Sequence, residues 1–217
     1  MPERRLAFDS AVATGRGDDG TTGLLFGGDR VRKDDLRTEA FGTLDEAVAA
    51  LGVARAELQP PAKARGAASG EALAEPDLAT LILRLQRELF VVGAELATEP
   101  GSRAKQRDGV TRVSDAMVDG LEAVLREHEA AVDMPREFVV PGETRASAAI
   151  EVARAVVRRA ERRIVTLAAA DEALSAGNVL RYVNRFADLL WILAREAEAV
   201  ESRPATMARS DRADRDR

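Results

Sequence analysis

The sequence predicts an all-α fold, a bundle of five amphipathic helices, and three observations support this. Hydrophobic residues make up 46% of the 217 residues and aromatic residues 4%, a composition typical of packed helices rather than of a sandwich or barrel. Apolar residues recur every three or four positions in five long segments. Most connections between those segments are modest in length, as in helical bundles. The length suits one domain with a sizeable core.

Each of the five segments carries one apolar stripe that a helix would bury. In chain order the stripes are Leu44, Val48, Leu51 and Leu58; Ile82, Leu85, Leu89, Val92 and Leu96; Met117, Leu121 and Val124; Ile150, Ala153, Val157, Ala160, Ile164 and Leu167; and Leu180, Val183, Ala187, Leu190 and Ala194. Thr144, at the end of the turn VPGET, is the expected N-cap of the fourth helix.

Three stretches lie outside this helical pattern. Residues 1–12 are expected to form a loose leader, and residues 13–202 the helical domain. Within that domain, residues 59–77 are rich in Pro, Gly and Ala and predict an exposed insertion. Residues 203–217, RPATMARSDRADRDR, have no apolar face and predict a disordered tail.

Charge and composition exclude several classes of function. The net charge of −5 gives no indication of a nucleic acid or an anionic membrane as partner. Without Cys the chain has no disulfide or thiolate nucleophile, and one His leaves too few ligands for a conventional zinc site. We expect His128 to be a core or helix-end residue, and Tyr182 and Trp191 to serve packing. No segment suits a signal peptide or a membrane span, so a cytoplasmic location is expected.

Two of the predicted helices carry polar residues at the edge of their apolar stripes. Arg154, Arg158 and Glu161 recur at helical spacing on the fourth helix, and Asn184 and Asp188 do so on the fifth. The matching offsets favour a polar groove shared by the two helices. A solvated face of i,i+4 pairs is the alternative.

The segment before the first helix, GRGDDGTTGLLFGG at residues 15–28, is rich in glycine and threonine. Backbone N–H groups around Gly17, Gly20 and Gly23, with the Thr21 and Thr22 hydroxyls, could surround the phosphates of a ligand. The basic residues near it are Arg16, Arg30, Arg32 and Lys33. Neither a Walker loop nor a GxGxxG fingerprint occurs. A mobile surface turn is the alternative.

Four blocks of sequence together carry a resemblance to a known family. They are residues 14–52, 85–98, 138–165 and 180–195, which begin TGRGDDGTTG, LQRELFVVG, FVVPGET and LRYVNRF. In this order they resemble the PduO-type ATP:cob(I)alamin adenosyltransferase family. The resemblance implies transfer of the 5′-deoxyadenosyl group of ATP to cob(I)alamin, which yields adenosylcobalamin and triphosphate. It also implies a five-helix bundle that assembles as a homotrimer with active sites between subunits.

The resemblance also implies roles for individual residues. The residues expected to bind ATP, with Mg²⁺ held mainly through the phosphates and not by protein ligands, are Thr14, Arg16, Gly17, Asp18, Gly20, Thr21, Thr22, Lys33, Arg158, Glu161, Asn184 and Asp188. Arg158 is expected to contact the phosphates. Asp45 and Arg154 are expected to form an ion pair across the subunit boundary on the corrinoid side. Phe138 is expected to push the lower ligand away from cobalt.

The implied reaction makes modest chemical demands on the protein. Cobalt(I) is a strong nucleophile, so the protein has to position the substrates and neutralise the leaving triphosphate rather than supply a nucleophile. An electron-donating reductase and an adenosylcobalamin-dependent acceptor enzyme are further partners of such an activity. Two alternatives stay open: a non-catalytic nucleotide- or corrinoid-binding carrier or regulator, and a structural helical bundle.

The sequence departs from the family pattern at three places. The opening reads TGRGD where members usually have T-[KR]-T-G-D, so the basic side chain of Arg16 is displaced by one residue. Glu143 stands where a second glycine usually follows the proline of the turn. Glu151 stands where members often have histidine, three residues before Arg154.

Overall fold

A computed structural model describes residue 10 and residues 12–59 and 77–209 of the chain. The prediction of a mostly helical fold is confirmed. The helices are α1 (Leu36–Leu58), α2 (Leu78–Ala97), α3 (Asp115–Ala131), α4 (Arg145–Ala168), the one-turn α5 (Glu172–Ser175) and α6 (Val179–Val200), with a 3-10 helix at Pro100–Lys105. The five long helices within the described ranges contain the five predicted stripes.

Side chains cap the long helices as the sequence favours. Thr144 is the N-cap of α4, as predicted, and forms a capping box with Ser147. The Thr144 Oγ1 accepts from the Ser147 N–H at 3.0 Å, and the Ser147 Oγ accepts from the Thr144 N–H at 3.2 Å. These bonds satisfy N–H groups that the first helical turn leaves without partners. The cap therefore fixes the residue at which α4 begins.

The core forms where the five stripes meet. Helix α4 packs between α1 and α6, while α2 packs against α1 and α3 packs against α6. The stripe residues Val157, Ile164 and Val183 are completely buried, and each such side chain stabilises the fold by about 1.5–3 kcal/mol. Tyr182 lies in this core with its hydroxyl donating to Glu88, as expected of a packing residue.

Four two-residue strands add two small antiparallel ladders that the sequence did not predict. Strand β1 (Thr21–Thr22) pairs with β2 (Val31–Arg32), so the glycine-rich segment is a hairpin. Strand β3 (Val139–Val140) pairs with β4 (Thr206–Met207). Strands of two residues carry no readable alternation, so their pairing has no local sequence signal.

Strand β4 lies within the predicted carboxyl-terminal tail. Residues 203–209 of the predicted disordered tail are described by the structure, and Thr206 and Met207 pair with β3 without any apolar face. Residues 210–217 of the predicted tail lie outside the described residues, as do 1–9 and 11 of the leader and 60–76 of the insertion. Among the helices that the structure describes, none combines the length and the apolar character needed to cross a membrane.

Candidate active site

The glycine-rich hairpin stands directly before α1 and is folded by its own backbone. The Gly15 carbonyl accepts from the Asp18 N–H at 3.2 Å, and the Gly17 carbonyl accepts from the Gly20 N–H at 3.1 Å. Gly20 has a φ of 78°, a left-handed conformation that favours glycine. Nothing lies within 4 Å of the position that a Cβ on Gly20 would take. The turn therefore presents open backbone on this side.

Lys33 directly follows β2 and lies against the glycine turn. Its N–H donates to the Gly20 carbonyl at 2.9 Å. Its Nζ is 2.9 Å from the position that a Cβ on Gly17 would take. A side chain at position 17 would therefore clash with the ammonium group. The lysine and the glycine turn, which the resemblance placed at the phosphates, are thus adjacent in this chain.

Arg30 and Asp19 brace the same hairpin. The Arg30 Nε donates to the Thr21 Oγ1 at 2.7 Å, and its Nη2 donates to the Arg16 carbonyl at 2.8 Å. Asp19 accepts from the Thr21 hydroxyl at 2.7 Å and from its N–H at 2.9 Å. The hydrogen bond from the Thr21 hydroxyl is the main reason why the pKa of Asp19 is lowered. The sequence indicated Arg30 as a basic residue near the hairpin, but no sequence pattern predicted its hydrogen bonds to Thr21 and Arg16.

The polar edges of α4 and α6 face each other, as the matching offsets predicted. The Asn184 Nδ2 donates to the Glu161 Oε1 at 3.2 Å. The pKa of Asp188 is raised, first by burial and then by the negative charge of Glu161, while Arg185, Arg158 and Arg154 oppose the increase. The Asn184–Glu161 bond thus joins the two polar edges, and Asp188, Arg158 and Arg154 lie near enough to it to influence one another.

A cavity of about 480 Å³ opens at one end of this groove. Its lining residues are Pro135, Arg136, Glu137, Phe138, Val139, Pro141, Glu151, Arg154, Arg158, Trp191 and Arg209. Phe138 is 79% exposed, so its ring is available to a ligand. The sequence assigned Trp191 to packing, whereas the structure places it on the cavity wall beside the predicted Phe138, Arg154 and Arg158.

The two cavity arginines of α4 differ in how they are held. The Arg154 Nε donates to the Glu151 Oε2 at 2.7 Å, and 24% of the Arg154 side chain stays exposed. Arg158 is exposed, and no carboxylate within the described ranges forms an ion pair with it. Arg154 is therefore oriented in advance, whereas the guanidinium of Arg158 is free to pair with an anionic ligand.

Glu151 anchors a buried charge network behind the cavity. Its second oxygen lies 3.5 Å from the Arg195 Nη1, and the Arg195 Nη2 donates to Glu198 at 2.7 Å. The Glu151, Arg195 and Glu198 side chains are 5%, 3% and 2% exposed. The Arg195 guanidinium also lies 5.7 Å from the ring centroid of Trp191. The glutamate that departs from the family pattern thus connects Arg154 to the helix that carries Trp191.

Some predicted residues are not brought together within the chain. Asp45 is exposed on α1, and no partner of an ion pair is recorded for it among the described residues, while Arg154 pairs with Glu151 instead. The residues that line the cavity include none from the hairpin. The hairpin instead joins the end of α2, where the Leu25 N–H donates to the Ala97 carbonyl at 2.8 Å.

A second cluster of charges supports the base of the hairpin. The Arg37 guanidinium donates to the Leu96 carbonyl and to Asp171, both at 2.7 Å, and Arg103 also donates to Asp171. Burial opposes ionisation of Asp171, but hydrogen bonds from Arg37, the Leu174 N–H and Arg103 outweigh it and lower the pKa of this carboxyl. The cluster ties the start of α1 to the end of α2 and to α5.

The remaining candidates for metal or proton chemistry are few. No group of three or more His, Asp or Glu side chains in the described part of the chain is arranged to hold a metal ion. His128 lies in the last turn of α3, the helix-end position expected for it, with its Nδ1 2.5 Å from Glu196.

Comparison with known proteins identifies the family. Residues 12–197 match the profile of the cobalamin adenosyltransferase family. The chain belongs to this family. It is 37% identical over 193 residues to a corrinoid adenosyltransferase of Citrobacter freundii, covering 86% of this chain and 94% of that protein.

Two further comparisons extend this assignment. The chain is 36% identical over 200 residues to the corrinoid adenosyltransferase PduO of Salmonella typhimurium, covering 92% of this chain. It spans 53% of the length of that protein. A variant PduO-type ATP:corrinoid adenosyltransferase from Lactobacillus reuteri, complexed with cobalamin and ATP, superposes with a TM-score of 0.72 at 25% identity. That match covers 92% of this chain and 97% of the other.

Proposed function

We propose that this family member is an ATP:corrinoid adenosyltransferase. The observation that carries the proposal is the cavity in which Arg154, Arg158, Phe138 and Trp191 meet. Cobalt(I) of cob(I)alamin supplies an electron pair to the 5′-carbon of ATP and forms a cobalt–carbon bond. The bond from that carbon to the triphosphate oxygen breaks, and its electron pair leaves with the triphosphate. The products are adenosylcobalamin and triphosphate.

The hairpin and Arg158 serve the ATP side of this reaction. Open backbone at Gly20, with the Lys33 ammonium beside Gly17, suits a triphosphate. Arg158, exposed and without an ion pair in the described chain, neutralises charge that increases on the leaving group. Mg²⁺, when bound, adds positive charge to the phosphates.

The cavity serves the corrinoid side. Phe138 and Trp191 form an apolar wall, and Glu151 fixes the orientation of Arg154 at its edge. Cobalt(II) is reduced to cobalt(I) more easily once its lower axial ligand has been removed. With cobalamin bound, Phe138 would take the place of this ligand, and the apolar wall would shield the corrinoid from water.

A homotrimer with active sites between subunits joins the two sides. Three features of the chain support this part of the proposal: the hairpin lies outside the cavity, Asp45 is exposed without an ion pair in the described residues, and exposed apolar residues lie on α1 and α4. Two of those residues are Val53 and Val152, which are 57% and 60% exposed. Sedimentation equilibrium should give three times the mass of one chain. A monomer would contradict this part of the proposal.

The test of the function is an anaerobic reaction with purified full-length protein. ATP, Mg²⁺ and chemically reduced cobalamin are mixed, and the cobalt(I) absorbance is followed beside a reaction without ATP. ATP-dependent loss of that absorbance, with a light-sensitive alkylcobalamin and triphosphate as products, is the expected result. Unchanged absorbance in protein that binds ATP would instead favour a nucleotide or corrinoid carrier.

A further inference from the structure

We infer that residues 203–209, the C-terminal segment, form part of the corrinoid side of the site: they hold Phe138 in place and add Arg209 to the cavity. The inference rests on the proposed function, because it assigns the cavity to the corrinoid. It gives a role to a stretch that the sequence predicted as disordered. Three sets of contacts carry it.

The first set is the backbone pairing with the strand that follows Phe138. Val139 pairs with Met207 and Val140 pairs with Thr206 in antiparallel register. The Ala208 N–H continues this ladder and donates to the carbonyl of Phe138 itself at 2.7 Å. The C-terminal segment therefore fixes the backbone of the residue whose ring enters the cavity.

The second set joins the start and the middle of the C-terminal segment to the bundle. The Arg203 N–H donates to the Glu198 carbonyl at the end of α6 at 2.9 Å. The Thr206 hydroxyl donates to the Glu143 carboxylate in the turn before α4. Glu143 replaces the second glycine usual in the family, and here its carboxylate accepts a hydrogen bond from the segment. This departure and the ordered segment therefore belong to one arrangement.

The third observation is that Arg209 lines the cavity with Arg154 and Arg158. Arg209 comes from a different part of the chain, next to the wall that contains Phe138. A guanidinium offers five N–H donors and no acceptor. Its partner on a corrinoid is therefore an acceptor group at the periphery, either an amide carbonyl or the phosphodiester of the nucleotide loop.

The test uses two pairs of full-length variants. Ala208→Pro removes the N–H that donates to Phe138, while Ala208→Gly keeps it. Arg209→Ala removes the cavity guanidinium, while Arg203→Ala removes an exposed arginine of the same segment that does not line the cavity. The chain contains one tryptophan, and it lines the cavity, so quenching of Trp191 fluorescence by cob(II)alamin measures binding without turnover.

We expect Ala208→Pro and Arg209→Ala to weaken cob(II)alamin binding by about tenfold, because the first releases the backbone of Phe138 and the second removes a charged hydrogen-bond donor. The KM for cob(I)alamin should rise in parallel, with the KM for ATP within about twofold of the parent value. Ala208→Gly and Arg203→Ala should bind like the parent. Titration with cobinamide, which lacks the phosphodiester, distinguishes the two acceptors: an equal loss indicates amide carbonyls, and a loss confined to cobalamin indicates the phosphodiester.

Parent-like corrinoid binding by both Ala208→Pro and Arg209→Ala would overturn the inference and leave the proposed function intact. A parent protein that binds cob(II)alamin without converting it would contradict the proposed function, while the variants would still decide the role of the segment. A parent protein that fails to bind corrinoid would overturn both. The binding result for Ala208→Pro is interpreted only if its circular dichroism matches that of Ala208→Gly, which shows that it folds. If it does not fold, Arg209→Ala decides the question.

Discussion

The chain contains two arginine clusters of opposite character. In the cluster at the base of the hairpin, Arg37 and Asp171 have side chains that are 8% exposed, and each finds its partners within the chain. In the cavity, Arg154 is held on one side by Glu151, and Arg158 is exposed with no ion pair in the described residues. A cluster whose groups are all satisfied stabilises the fold, whereas a cluster with an open guanidinium can bind a ligand.

Of the substitutions considered, Arg158→Ala should reduce activity most, because it removes the unpaired guanidinium of the cavity cluster. Removing one donor that stabilises a developing charge typically costs about 10²–10³-fold in kcat. The guanidinium is exposed, so the melting temperature should change little. Anaerobic cob(I)alamin turnover and thermal unfolding measure the two effects.

The control for this variant is Arg159→Ala. Arg159 is the next residue on α4, is exposed, and pairs with Glu46 of α1 instead of lining the cavity. Its loss should leave turnover near that of the parent. Full activity in Arg158→Ala, or equal losses in both variants, would contradict the role assigned to the open cluster.

Asp171→Asn should disrupt the cluster at the base of the hairpin. It should lower the free energy of unfolding by about 3 kcal/mol, because it leaves Arg37 and Arg103 without their carboxylate. The folded-state pKa of Asp171 is lowered, so the ionised carboxylate stabilises the fold at neutral pH. That contribution is complete above the unfolded pKa of about 4 and is lost as the pH falls through the lower folded value.

Urea unfolding of the parent and Asp171→Asn at several pH values checks this prediction. The difference between the two proteins should be largest near neutral pH and should shrink in acid below about pH 4. Asp108→Asn is the control, because Asp108 forms a surface pair with Arg112 and its side chain is 60% exposed. A difference that stays constant with pH would show that the Asp171 charge is not what matters.

Glu151→Gln tests the link between the two kinds of cluster, because Glu151 contacts both the buried Arg195 and the cavity residue Arg154. Without its charge Arg154 is less well oriented, and we expect kcat to fall about tenfold with the KM for ATP nearly unchanged. Glu122→Gln, which loses a surface pair with Arg185 on the other side of α6, is the control. A rise in the KM for ATP with no change in kcat would contradict the positioning role of Glu151.

Gly17→Ala should have the smallest effect. The new Cβ would lie 2.9 Å from the Lys33 Nζ and displace that flexible side chain. We expect the KM for ATP to rise by about threefold to tenfold, with the free energy of unfolding within about 0.5 kcal/mol of the parent. Gly23→Ala is the control, because nothing lies within 4 Å of its Cβ position. Equal KM values for both variants would mean that Lys33 does not act at the phosphates.

Much of the fold could be predicted because it depends on local pattern. The stripes of α4 and α6 follow the helical period, and Thr144 was a recognisable N-cap. The groove between these helices was also predictable, since Glu161 and Asn184 stand at matching offsets from their stripes. Each of these features can be read within a few helical turns of sequence.

The sequence by itself therefore determined which segments form the five long helices and which polar residues border their buried faces. Only the tertiary structure decided that Trp191 lines the cavity, that Asp171 pairs with Arg37, and that Thr206 and Met207 pair with β3. Asp171 and Arg37 are 134 positions apart, and Thr206 and Glu143 are 63 apart. Contacts over such separations leave no periodic signal, because they depend on how whole helices pack rather than on the preferences of neighbouring residues.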